Sequence, residues 1–260
     1  MELISRLKEL NPDLFFKACK FNMNDSYKPF LKKYMISIMP KNHFYNEWKS
    51  FYKLIADYHD DFSKEIFDMA FSDKVNKTIQ KYHLEFVFHA IADSRDGFYD
   101  EYLKKLWLQY YFVDEKIVSY FLQKDKTLTI EEMKTTLLNS EKYWNKKDTL
   151  DFIIKTLYKN KIDLSDYFSN GIKNDSVHTI EVYMNNIDCV EKGDEKIVAA
   201  MEKRLNKETN PYITIPIYKY LVSLNDKSIN DYLIKTYNKN KNKYPNWALD
   251  EFNYLINSIK

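Results

Sequence analysis

The chain has 260 residues, 45% of them hydrophobic, 30% charged and 17% aromatic, enough apolar material to exclude a disordered polymer. Its three Gly and six Pro argue against turn-rich sandwiches and barrels, and against the glycine-lined phosphate loops of most nucleotide-binding folds. Forty basic against 38 acidic residues leave a net charge of +2, and only Arg6, Arg95 and Arg204 carry a guanidinium fork, which counts against a nucleic-acid partner.

Residues 1–10 are amphipathic and interrupted by charge, unlike the apolar core of a signal peptide. Asn11-Pro12 sets the first helix boundary. Residues 1–44 carry eight basic and four acidic side chains, a local +4, and read as an N-terminal helical cap. Phe51, Leu54, Ile55 and Tyr58 then form an apolar stripe at helical spacing. The clearest stripe follows at Tyr99, Tyr102, Leu103, Leu106, Trp107 and Tyr110. Thr129 with Glu132 has the spacing of a capping box. Ile197, Val198, Met201 and Leu205 make a further stripe, Asn210-Pro211 and Tyr244-Pro245 set boundaries, and a lone last helix spans Trp247 to Ile259. Short polar turns lie at 57–61, 93–97, 124–126, 159–161 and 225–227. Sustained period-two alternation is hard to find and no stretch approaches 18 uncharged apolar residues, so the class is all-α with no membrane span.

Pairing the helices places first helices near Tyr45, Tyr82, Glu115, Asp148, His178, Ile213 and Asn246, with spacings of 30 to 37 residues. At an offset of 130, Asp96, Tyr102, Leu103 and Lys105 match Asp226, Tyr232, Leu233 and Lys235. A period in this range marks helix pairs that bury their apolar faces only by stacking on neighbours. The segments 88–96 and 218–226, each followed by a second helix, resemble degenerate HEAT-type repeats, in which an Asp recurs in the turn between the two helices. Asp96 and Asp226 occupy that place. The resemblance implies a right-handed α-solenoid of about six antiparallel helix pairs over residues 45–260, one continuous domain behind the cap at 1–44.

No pattern of residues points to chemistry. His83 and His89 are six apart, off a shared helix face, so no metal or other cofactor is expected. His59-Asp60 resembles the His-Asp pair of HD phosphohydrolases, with His43 upstream as a candidate ligand, but a dipeptide in a turn as acidic as 57–61 reads more simply as a helix connection. Cys19 and Cys189 stand alone; they fit a reducing, cytoplasmic compartment and small buried apolar groups. HEAT-type arrays also form a class of DNA glycosylases for alkylated bases. That reading would need a basic track and a carboxylate near aromatics, such as Asp100 or Glu101 beside Trp107.

Acids concentrate at the early turns. Six lie from Asp57 to Asp73 against Lys64, and four from Asp93 to Glu101 against Arg95. Stacking sets equivalent turns side by side, so Asp57, Asp60, Asp61, Asp93, Asp96, Asp100 and Glu101 are expected to form a negative ridge that receives a basic protein partner. A small repeat protein of this kind resembles bacterial immunity proteins, which neutralise a cognate toxin. The expected function is therefore non-catalytic protein binding, with a general scaffold or adaptor, or the glycosylase, as the alternatives.

Overall fold

The apolar stripes become helices. The computed structural model describes residues 11–38, 45–71, 77–94, 97–110, 115–140, 147–173 and 176–259, and among them every regular element is helical. Contacts divide the chain into two units, Met1–Phe112 and Val113–Lys260. The first holds α1 (Pro12–Phe21), α2 (Lys28–Ile38), α3 (Tyr45–Ala56), α4 (Asp61–Ala70), α5 (Lys77–Ser94) and α6 (Asp100–Tyr110). The second holds α7 (Glu115–Lys124), α8 (Lys126–Leu138), α9 (Lys147–Lys159), α10 (Ser165–Lys173), α11 (Val177–Asn185), α12 (Glu195–Leu205), α13 (Pro211–Ser223), α14 (Lys227–Asn240) and α15 (Asn246–Asn257).

Within each unit most of the packing joins a helix to the next but one, with contacts between some consecutive helices besides. In the first unit α1 meets α3, α3 meets α5, and α2 meets α4. In the second, α7, α9, α11, α13 and α15 form one continuous series, while α8, α10 and α12 form another. The reason is the width of the apolar faces. In α13, Ile213, Ile215, Ile217, Tyr218 and Leu221 are all buried, and this helix packs on α11, α12, α14 and α15.

The segment before residue 44 shares the core of the helices after it. Phe16 of α1 lies edge-on to Tyr34 of α2 at 4.9 Å and to Phe51 of α3 at 5.3 Å.

The acidic turns are built as helix starts. Asp60, Asp125, Asp194 and Asp226 are the N-cap residues of α4, α8, α12 and α14, each accepting from backbone N–H groups of the first turn at 2.8 to 3.2 Å. Asp163 accepts from the Ser165 amide at the start of α10, 2.9 Å away. His59, Lys161 and Asn225, just upstream of three of these aspartates, adopt left-handed backbone conformations with φ between 49° and 58°, closing the preceding helix in the usual C-terminal manner. The capping box expected at Thr129 and Glu132 is not formed. Asp125 caps α8 one turn earlier, and Thr129 lies inside the helix with its hydroxyl donating to the Asp125 carbonyl at 2.6 Å.

One glycine is required by packing. A Cβ at Gly171 in α10 would lie 2.0 Å from Cε2 of Tyr183, whose ring is buried in α11 against Phe168 at 5.0 Å. Gly171→Ala is therefore expected to lower stability by about 3 kcal/mol, read as a shift of the urea midpoint. An unchanged midpoint would show that α10 and α11 are not in van der Waals contact there.

Candidate functional site

The turn after α3 and the turn before α6 lie side by side. The His59 ring stands 5.7 Å from Tyr99 and 6.1 Å from Phe98, and the Tyr99 hydroxyl donates to the Ala56 carbonyl at 2.8 Å. The structure thus brings together the two acidic turns that the sequence singles out. Asp96 lies outside the described residues.

Much of the negative charge at these turns is answered within the chain. Lys20 of α1 pairs with Asp57 at 2.6 Å, Lys28 of α2 with Asp60 at 2.6 Å, and Lys53 of α3 with Asp93 at 3.1 Å. Lys32 of α2 pairs with Glu65 of α4. The excess of basic residues before position 44 is spent partly on the acids after position 56. Lys28 also reaches Asp25 at 2.8 Å and sits 5.2 Å over the Tyr58 ring. Hydrogen bonds to Asp25 and Asp60 hold its ammonium above the ordinary lysine range. Partial burial works against the Asp60 carboxylate, but the Lys28 hydrogen bond and the Ser63 amide prevail and hold it below the ordinary range.

A shallow hollow of about 430 Å³ lies at this edge, bordered by Asp25, Asp57, Tyr58 and Asp60. Its carboxylates are those already met by Lys20 and Lys28. Asp61 is fully exposed, 3.9 Å from Lys64, and Glu101 is exposed on α6. Asp93 is exposed as well, though it meets Lys53, and Asp100 is half-buried. No pairing signal for Asp57, Asp60 or Asp93 exists in local sequence, because their lysines come from elements some 30 to 40 residues away.

The residues that chemistry would need are committed elsewhere. Trp107 is fully buried, so it forms core instead of a platform beside Asp100 and Glu101. His59 holds a left-handed turn and Asp60 caps α4. Cys19 is buried and Cys189 half-buried, and burial pushes both thiols up, away from nucleophile behaviour. Among the described residues no group of three or more His, Cys, Asp or Glu side chains is placed to hold a metal ion, and no helix is long and apolar enough to cross a membrane. Comparison with protein-family models, with curated proteins and with solved structures finds no match.

His83 of α5 is a core residue. Its ring is completely buried, stacked 4.2 Å from Trp48 of α3, with Nδ1 2.7 Å from the Tyr52 hydroxyl. That hydroxyl lies 3.6 Å from the Met35 sulfur. Among the described residues Nε2 has no hydrogen-bond partner. Burial disfavours the charged ring and lowers its pKa from 6.5 to about 4. The unfolded chain therefore takes up this proton at a higher pH than the folded chain does, so the stabilising difference is complete above pH 6.5 and is lost as pH falls toward 4. From pH 7 to pH 4 the first unit is expected to lose about 3 kcal/mol through this group, and His83→Phe should flatten that part of the profile. A urea midpoint with the same pH dependence in the variant would contradict this.

Proposed function

We propose that the chain is a non-catalytic, protein-binding α-solenoid, its helices arranged as antiparallel pairs in a right-handed array of HEAT type. The observation that carries this reading is the packing of every second helix on its predecessor, α1–α3–α5 in one unit and α7–α9–α11–α13–α15 in the other. Such packing is how repeat proteins extend a surface without enclosing a pocket. The recurrent aspartate at the second helix of a pair supports the HEAT likeness.

The partner we infer is another protein with a basic contact surface, and the role is that of an immunity protein neutralising a toxin. Asp61 and Glu101 are the exposed ridge residues we take to supply outward charge, while Asp57, Asp60 and Asp93 hold the ridge in shape through their lysines. Charge placed in this way speeds encounter and selects partners more than it adds affinity. A chain that acts by covering its partner needs no catalytic residue and no cofactor.

Capture of the tagged protein from its native cells should return one stoichiometric protein partner, and co-expression should protect cells from that partner's toxicity. Asp61→Lys together with Glu101→Lys should weaken the complex by about tenfold, measured by interferometry against the purified partner. Recovery of a chain with no partner under any growth condition would remove the reading, and undiminished binding by the double variant would remove the ridge.

A further inference from the structure

We propose that the groove between α12 and the start of α14 is a docking site for a helical segment of a protein partner, one that carries an apolar stripe flanked by Lys or Arg. This rests on the protein-binding reading above and adds a second surface, in the second unit.

The groove arises where one packing series opens. α10 packs on both α8 and α12, but α14 packs on α13 and α15 instead of continuing the series. Tyr232 of α14 still bridges to α12, its hydroxyl donating to the Glu202 carbonyl at 2.7 Å. Toward the beginning of α12 the two helices leave a groove of about 610 Å³. Glu195, Val198, Ala199 and Glu202 line it from α12, at the i, i+3, i+4, i+7 positions that share one helix face. Leu224 and Ile229 line the other side. Val198, Leu224 and Ile229 are each only half-buried and Ala199 is exposed, so the floor is apolar and open. Its length along α12 is about 10 Å, two helical turns.

The rim gives the occupant its charge. Glu195, Glu202 and Asp226 face the groove against a single ammonium, that of Lys192. Some carboxylates of this unit are answered by a neighbouring helix, as Asp166 is by Lys196 at 2.8 Å and Glu251 by Lys219 at 2.5 Å. Neither Glu195 nor Glu202 has an ion-pair partner among the described residues. Asp226 keeps its charge, because the Ile229 amide and then the Ser228 hydroxyl hold its carboxyl below the ordinary range. The Gly193 turn fixes one end of the rim. Its φ is +82°, and its N–H donates to the Tyr220 hydroxyl at 3.0 Å. An apolar floor two turns long under an acidic rim suits an amphipathic helix with basic flanks.

The test uses the full chain and two fluorescein-labelled synthetic helices. One carries Leu at i, i+3, i+4 and i+7 with Lys on both flanks, and its twin has Glu in place of every Lys. The Lys helix should bind at least about tenfold more tightly than its twin in anisotropy titrations. Glu195→Lys with Glu202→Lys, and separately Ala199→Trp, which fills the floor, should each weaken the Lys helix by about tenfold, while Asp61→Lys with Glu101→Lys leaves it unchanged. Glu195→Gln with Glu202→Gln reads the charge even where the lysine pair disturbs α12. Equal binding of the two helices, or groove variants of native circular dichroism that keep full affinity, would overturn the groove. A partner still captured in that case would leave the protein-binding reading standing; failure to capture any partner would end that reading independently of the peptides.

Discussion

Next-but-one packing is the constraint on which the rest of the structure depends. A helix with an apolar face as wide as that of α13 is not covered by one neighbour, and it is satisfied only when the helices on both sides and those beyond them close around it. The turns must then be short and must reverse the chain sharply. A left-handed residue ends one helix and an aspartate begins the next, as at His59 with Asp60 and Asn225 with Asp226. The aspartate satisfies backbone donors that the helix start would otherwise leave to water, a contribution of about 1 kcal/mol at each turn. Acidity at these edges is thus first a structural requirement and only then a resource for binding.

The near-balance of charge follows from the same packing. Lys53 with Asp93, Lys147 with Glu181, Lys196 with Asp166 and Lys219 with Glu251 each join a helix to the next but one. Exposed pairs of this kind contribute little to stability; their value is in fixing which residues of stacked helices stand opposite each other. Tyrosines do similar work at the edges of the core. Tyr99 donates to the Ala56 carbonyl, Tyr102 to Asp68 and Tyr232 to the Glu202 carbonyl. Glu195 and Glu202 stand outside these pairs, and their place beside the open apolar floor of the groove is what makes them a guide to an external contact.

Helix positions were legible because their signals are local. Helices begin at Tyr45, Glu115, Lys147, Val177, Pro211 and Asn246, within two residues of the places that proline, polar turns and apolar stripes indicate. α5 begins earlier than Tyr82, at Lys77, since its first turn carries no apolar stripe to announce it. The Thr129 and Glu132 spacing misled because four residues inside a helix can match a cap pattern, and only the upstream Asp125 decides between them. The pairing of Lys20, Lys28 and Lys53 with the acidic turns was not legible, because it depends on the register of helices far apart in sequence. The groove beside α12 was hidden for the same reason, as it comes from a break in packing and not from any unusual residue.

Native-state hydrogen exchange on the full chain carrying Ile153→Ala tests next-but-one packing most directly. Ile153 is fully buried in α9, which packs on α7, α8 and α11, and the cavity removes about 2 to 4 kcal/mol of local stability. The account predicts that amide protection falls in α7 and α11 nearly as much as in α9 itself, and much less in α15. A loss confined to α9, or one equal across every helix of the unit, would contradict it.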